Sequence, residues 1–151
     1  MKRFSFRLET LLRLRQRQQE DCQCALAAAQ VAVRLAHHAL EQAHTERRNL
    51  DRDWSEWMRR RATGNEGGKD FELYRAHLEN TLAVRQKAYQ VAWEGEQTAR
   101  TQLLTVMRKK RILEKLKERQ ELRHRTDQFK REQQQLEERG IGHLEGAGPI
   151  F

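Results

Sequence analysis

The sequence predicts an all-α fold: a long antiparallel two-helix coiled-coil hairpin with a flexible C-terminal tail. Three observations carry this reading. Helix breakers are confined to two short stretches, since Gly64, Gly67 and Gly68 fall within five residues and Gly140, Gly142, Gly146, Gly148 and Pro149 crowd the end, with Gly95 alone elsewhere. The segments between them are rich in Leu, Ala, Gln, Glu, Arg and Lys, which lose little side-chain entropy in a helix. Both segments repeat apolar residues at alternating steps of four and three.

The first helix is expected over about residues 5–62, with Ser5 as its cap, Arg59, Arg60 and Arg61 at its negative dipole end and Gly64 as the left-handed terminator. A loop over about 63–69 follows, and Asp70 caps a second helix running to about 139. Gly140 is expected to close that helix in a Schellman stop that sets Ile141 against Leu136, which makes residues 1–139 the hairpin and 140–151 the flexible tail.

The seam of the first helix reads Leu8, Leu12, Cys22, Leu26, Ala29, Val33, Ala36, Leu40, Ala43, Leu50, Trp54 and Trp57, broken by Arg15, Gln19 and Arg47. The second reads Leu78, Leu82, Tyr89, Ala92, Ala99, Leu103, Val106 and Leu113, broken by Arg85, Glu96 and Lys110, and its apolar pattern decays beyond Leu116. Matching small against large side chains, as close packing asks, pairs Ala43 with Tyr89, Leu40 with Ala92, Val33 with Ala99, Ala29 with Leu103 and Leu26 with Val106. Facing residue numbers in that register add to about 132. It has a cost, because Arg47 then faces Arg85 and Cys22 faces Lys110. About twelve residues of the second helix are left to overhang.

Thirty basic and 22 acidic side chains among 151 residues give a net charge of +8, which favours an acidic partner: a protein ring, nucleic acid or an anionic membrane surface. The surplus is local. Residues 2–17 carry a net +5 and residues 108–131 a net +7, which leaves −4 for the remainder, and the hairpin brings the two basic stretches together. Arg13, Arg17, Lys109, Lys115 and Lys117 are candidate docking cations on charge alone. Only 37% of the residues are hydrophobic, no stretch is long and apolar enough to span a membrane, and no secretory leader is evident, so the reading is an intracellular protein. Cys22 and Cys24 point apart on a helix and are read as reduced thiols.

Motifs for catalysis or cofactors are weak. The segment Gly64-Asn65-Glu66-Gly67-Gly68-Lys69-Asp70 is one residue short of a phosphate-binding loop, has Asp in the magnesium-ligand position, and follows a helix. His37, Glu41 and His44 share a helical face without a further metal ligand, so a solvated face is the preferred reading. No nucleophile has a base and orienter beside it; neither an enzyme nor a cofactor is expected. Trp54, Trp57 and Trp93 are read first as core. Phe71, Tyr74 and Leu78 open the second helix at three-and-four spacing, either buried or as an apolar docking strip. Arg108-Lys109-Lys110-Arg111 lacks interleaved aromatics, so a nucleic-acid-binding coiled coil is the secondary reading.

The opening Phe4-Ser5-Phe6-Arg7-Leu8-Glu9-Thr10-Leu11-Leu12-Arg13-Leu14-Arg15, followed by Gln19-Glu20-Asp21, resembles the start of FliJ proteins of the bacterial flagellar export apparatus. The later run Leu113-Glu114-Lys115-Leu116-Lys117-Glu118-Arg119, leading into Arg131-Glu132-Gln133, is similar to that family's end, with Leu136-Glu137-Glu138 where an acidic pair is common. The resemblance covers about residues 4–139 and implies a non-enzymatic stalk, in the cytoplasm and peripheral to the inner face of the membrane at the flagellar base. Its implied partners are the FliI export ATPase ring, the cytoplasmic domain of the export gate FlhA, and export chaperones. Phe71, Tyr74 and Leu78 match the strip to which gate binding is attributed. The stalk of virulence-type secretion systems is a near variant.

Overall fold

The computed structural model describes residues 2–60 and 67–146. Two helices occupy nearly all of them, α1 over Glu9–Arg60 and α2 over Gly68–Gly146. Their packing falls into two compact units: unit 1 joins Met1–Gln18 with Val106–Phe151, and unit 2 is Gln19–Thr105. In each unit the two helical segments run antiparallel against one another. Nothing is wide enough for a three-dimensional core; Leu40, Ala43, Leu78 and Ala99 are the buried apolar residues of unit 2, and Phe6 and Leu113 those of unit 1.

The seam of α1 forms as its periodicity requires. All twelve of its apolar positions from Leu8 to Trp57 are buried or half-buried, while most of the intervening side chains face solvent. The polar interruptions Arg15, Gln19 and Arg47 are also half-covered, which their long stems allow. In α2, Leu78, Leu82, Tyr89, Ala92, Ala99, Leu103, Val106 and Leu113 are all buried or half-buried. Glu96 lies in this seam at 8% exposure, its charge met by the Arg100 guanidinium, whose Nη2 and Nε lie 2.7 and 3.2 Å from Oε1. Lys110 is answered within its own helix by Glu114 at 3.5 Å.

The register differs from the one that side-chain size suggested. Three contacts fix it: His37 packs on Tyr89 with ring centroids 5.6 Å apart, Arg47 Nη2 lies 3.4 Å from Glu79 Oε1, and Lys117 Nζ lies 2.9 Å from Glu9 Oε2. In each pair the numbers add to 126 rather than 132, a slip of six residues. Ala43 therefore does not face Tyr89, nor Leu40 Ala92. At the turn α2 begins at Gly68, two residues ahead of the expected Asp70, which accounts for only part of the slip. The slip also removes the defect of the other register: Arg47 meets a glutamate instead of Arg85. A long seam of Leu and Ala tolerates several registers by volume, whereas two facing arginines are costly, so charge decides.

Helix ends differ as well. Residues 2–6 are not helical, and α1 starts at Glu9, whose N–H donates to the Phe6 carbonyl at 3.1 Å. Ser5 is exposed and caps nothing. In this non-helical segment Phe6 becomes 7% exposed and Phe4 half-buried, while Ser5 between them stays exposed. Asp70 lies inside the first turn of α2, favourable to the dipole but not the cap. Gly140 does not stop α2. The helix runs on to Gly146, so residues 140–146 are helical rather than a flexible tail; glycine permits a left-handed stop without demanding one. Residues 61–66, with the expected terminator Gly64, and 147–151 lie outside the described residues.

Two leucines in the opening turns of α2 separate seam from surface. Leu78, 4% exposed, should lose about 2–4 kcal/mol on replacement by Ala, whereas Leu73→Ala, at 71% exposure, should change stability by less than about 0.5 kcal/mol. Urea titration followed by circular dichroism reads both, and equal losses would mean that the seam is misassigned.

Candidate functional site

Among the described residues no three His, Cys, Asp or Glu side chains gather as metal ligands. His37 rests against Tyr89, still largely exposed. Two surfaces remain.

The first closes unit 2. Gly67 takes φ +91°, a conformation that L side chains rarely adopt, and its carbonyl accepts the Phe71 N–H at 3.0 Å, which launches α2. A Cβ at Gly67 would sit 3.7 Å from the Trp57 ring, so the turn lies directly on the aromatic surface of α1. Trp54 stacks on Phe71 with centroids 3.8 Å apart and on Trp57 at 4.9 Å. Three rings from two helices thus gather beside Gly67 at the start of α2. Of the sequence-predicted strip, Phe71 is held in this stack, Leu78 is buried in the seam, and Tyr74 alone is exposed, at 51%. Phe71 and Leu78 can orient a docking surface but offer a partner little; Leu73 and Met58, at 71% and 54%, are exposed beside Tyr74 in sequence or at the turn. Trp93 is not core: at 44% exposure it lies on the flank, one position beyond the seam residue Ala92.

The second surface lies in unit 1. Here the non-helical N-terminal segment packs along α2, with the Phe4 ring 5.6 Å from that of His124 and Gln128 Nε2 donating to the Lys2 carbonyl at 3.3 Å. Lys2, Arg3, His124 and Arg125 line one shallow cleft with Phe4, Glu121 and Gln128. Of the five candidate cations, Arg17, Lys109 and Lys115 are exposed, and Arg13 keeps an 80% exposed side chain with only a loose 3.9 Å approach to Glu9. Lys117 is different. Its 2.9 Å pair with Glu9, each side chain about one-third exposed, ties α1 to α2, so it serves the fold before any partner. The contribution of Phe6 and His124 was not read from spacing, although the alternation of Phe4 and Phe6 departs from helical spacing.

Antiparallel helix pairs, one of them strongly cationic, define a coiled-coil class of helical protein. A family model described as Flagellar FliJ protein matches residues 4–141, from the non-helical segment beside His124 into the distal part of α2. The chain belongs to the FliJ family and is accordingly a component of the flagellar export apparatus, of a non-catalytic kind. Comparison with curated proteins and with solved structures gives no match. No described helix is long and apolar enough to cross a membrane.

Charge crowding in unit 1 has a measurable consequence. Two stretches of net +5 and +7 pack together with Glu9 as the one acidic side chain of the first, so salt should relieve more repulsion than it removes attraction. Raising sodium chloride from about 20 to about 500 mM should slow amide exchange several-fold in residues 9–18. Faster exchange at high salt would show that the Glu9–Lys117 pair outweighs the repulsion.

Proposed function

We propose that the chain is a coupling stalk of flagellar protein export, working in the cytoplasm against the inner face of the membrane at the flagellar base. Its cationic unit docks into the ring of the export ATPase FliI and promotes assembly or turnover of that ring. Its turn-proximal surface contacts the cytoplasmic domain of the gate FlhA, and export chaperones share the exposed helix faces. Family membership, together with the concentration of basic charge in unit 1, is the observation that carries this reading. An acidic ring lumen would neutralise the crowding that weakens unit 1 alone, so docking and ordering of that unit would reinforce one another.

The roles of individual residues follow from exposure. Arg13, Arg17, Lys109 and Lys115 supply the ring contacts, and Lys117 holds the surface that presents them. At the other surface Tyr74 makes the gate contact, while Phe71 and Leu78 fix its position. A rim cation changes association rate and salt dependence more than it changes complementarity.

Adding the purified chain to the export ATPase at low salt should raise turnover and oligomerisation. Arg17→Glu combined with Lys109→Glu should lower that stimulation at least about fivefold without altering helicity, since each replaces an exposed cation. Tyr74→Ala should leave stimulation intact and weaken gate-domain binding about tenfold, a typical cost for an aromatic anchor. Unchanged ATPase behaviour with the wild-type chain, or tight retention on DNA at about 150 mM salt, would remove the proposal in favour of a nucleic-acid-binding coiled coil.

A further inference from the structure

The last described contact across unit 1 is that of Gln128 with Lys2, and every residue from 129 to 142 is exposed, yet α2 continues to Gly146. This distal stretch includes Gly140 and Gly142, each costing about 1 kcal/mol relative to Ala in a helix, and an isolated helix of this length is marginal in water. A helix of that kind gains order from a partner. Its own pattern says which one.

Phe129, Gln133, Leu136 and Gly140 follow one another at steps of four, three and four, a two-helix seam whose apolar members stand 59% and 66% exposed. The flanking positions of that seam are Lys130 and Glu137 on one side and Glu132 and Arg139 on the other. None of the four makes an ion pair among the described residues, although such pairs are frequent elsewhere on α2. In an antiparallel coiled coil each flank meets its own kind from the other chain. Two copies then bring Lys130 to Glu137 and Glu132 to Arg139, twice each by symmetry, with no like-charged pair. Parallel pairing would instead set Glu132 against Glu137. The seam agrees with the antiparallel choice: Phe129 falls opposite Gly140 of the second copy, where no heavy atom lies within 4 Å of the missing Cβ, and Leu136 falls opposite Gln133.

The geometry points to a second copy of this chain as the occupant of the exposed distal α2, paired antiparallel over residues 129–140. The two-fold, isologous arrangement closes on itself and gives a dimer, not a filament. Four large apolar side chains in the seam make it weak and concentration-dependent. The inference is independent of any role in export, and it needs no ATPase or gate.

Sedimentation equilibrium of the full chain tests it. The mass should rise from monomer to dimer between about 1 and about 300 µM. Lys130→Glu should weaken association at least about tenfold, and adding Glu137→Lys to it should restore affinity to within about threefold of wild type. In a background with Cys22→Ser and Cys24→Ser, mixing a Gln133→Cys chain with a Leu136→Cys chain should yield the mixed disulfide in preference to either self-pair. A monomer throughout the range, no rescue by the charge swap, or preferential self-disulfides would each overturn the proposal; circular dichroism of every variant confirms that the helices persist.

Discussion

One narrow seam must hold this protein, and everything else depends on the register in which its two helices meet. Leu and Ala recur so regularly along α1 and α2 that volume alone does not choose among several alignments. The choice comes from the rings gathered at the start of α2 and from charge. Gly67 in its left-handed conformation lets the chain lie on Trp57, Trp54 and Phe71 stack across the turn, and α2 then leaves at a height that brings Arg47 to Glu79. Shifting the pairing by six residues would set Arg47 toward Arg85 and part Trp54 from Phe71.

The same constraint shapes unit 1. Its seam contains fewer large apolar groups, with Phe6 and Leu113 the buried ones, and its second half is built from covered polar side chains such as Lys117, His124 and Gln128. A surface that keeps eleven cations between residues 108 and 131 beside a basic N-terminal stretch gives up stability for electrostatic potential. The Glu9–Lys117 pair sets where the two basic stretches meet.

Much of the architecture was legible because heptad periodicity states directly which face of a helix is covered: the twelve seam positions of α1 and the eight of α2 all lost exposure as their spacing required. Register was not legible from size matching, since Ala and Leu alternate along both helices, whereas the Arg47–Arg85 clash in the size-matched register was itself the clue. Helix ends differ where a residue permits a structure without forcing it: Ser5 can cap and does not, the chain ahead of Glu9 staying non-helical with Phe6 buried, and Gly140 can stop a helix and does not. Of the docking strip, spacing identified the right turn of α2 but not that Leu78 turns inward and Phe71 is held by Trp54. Flank charges read against the true partner, rather than summed, distinguish Lys117 as structural from Arg17 and Lys109 as free.

Paired distance labels decide the register most directly. Spin labels at Glu46 and Asn80, both exposed and in numbers that add to 126, should give a short separation, and moving the second label to Gln86 adds an axial offset of about 9 Å, the rise of six helical residues, and should give a longer one. A shorter distance for Glu46 with Gln86 than for Glu46 with Asn80 would contradict the seam described here.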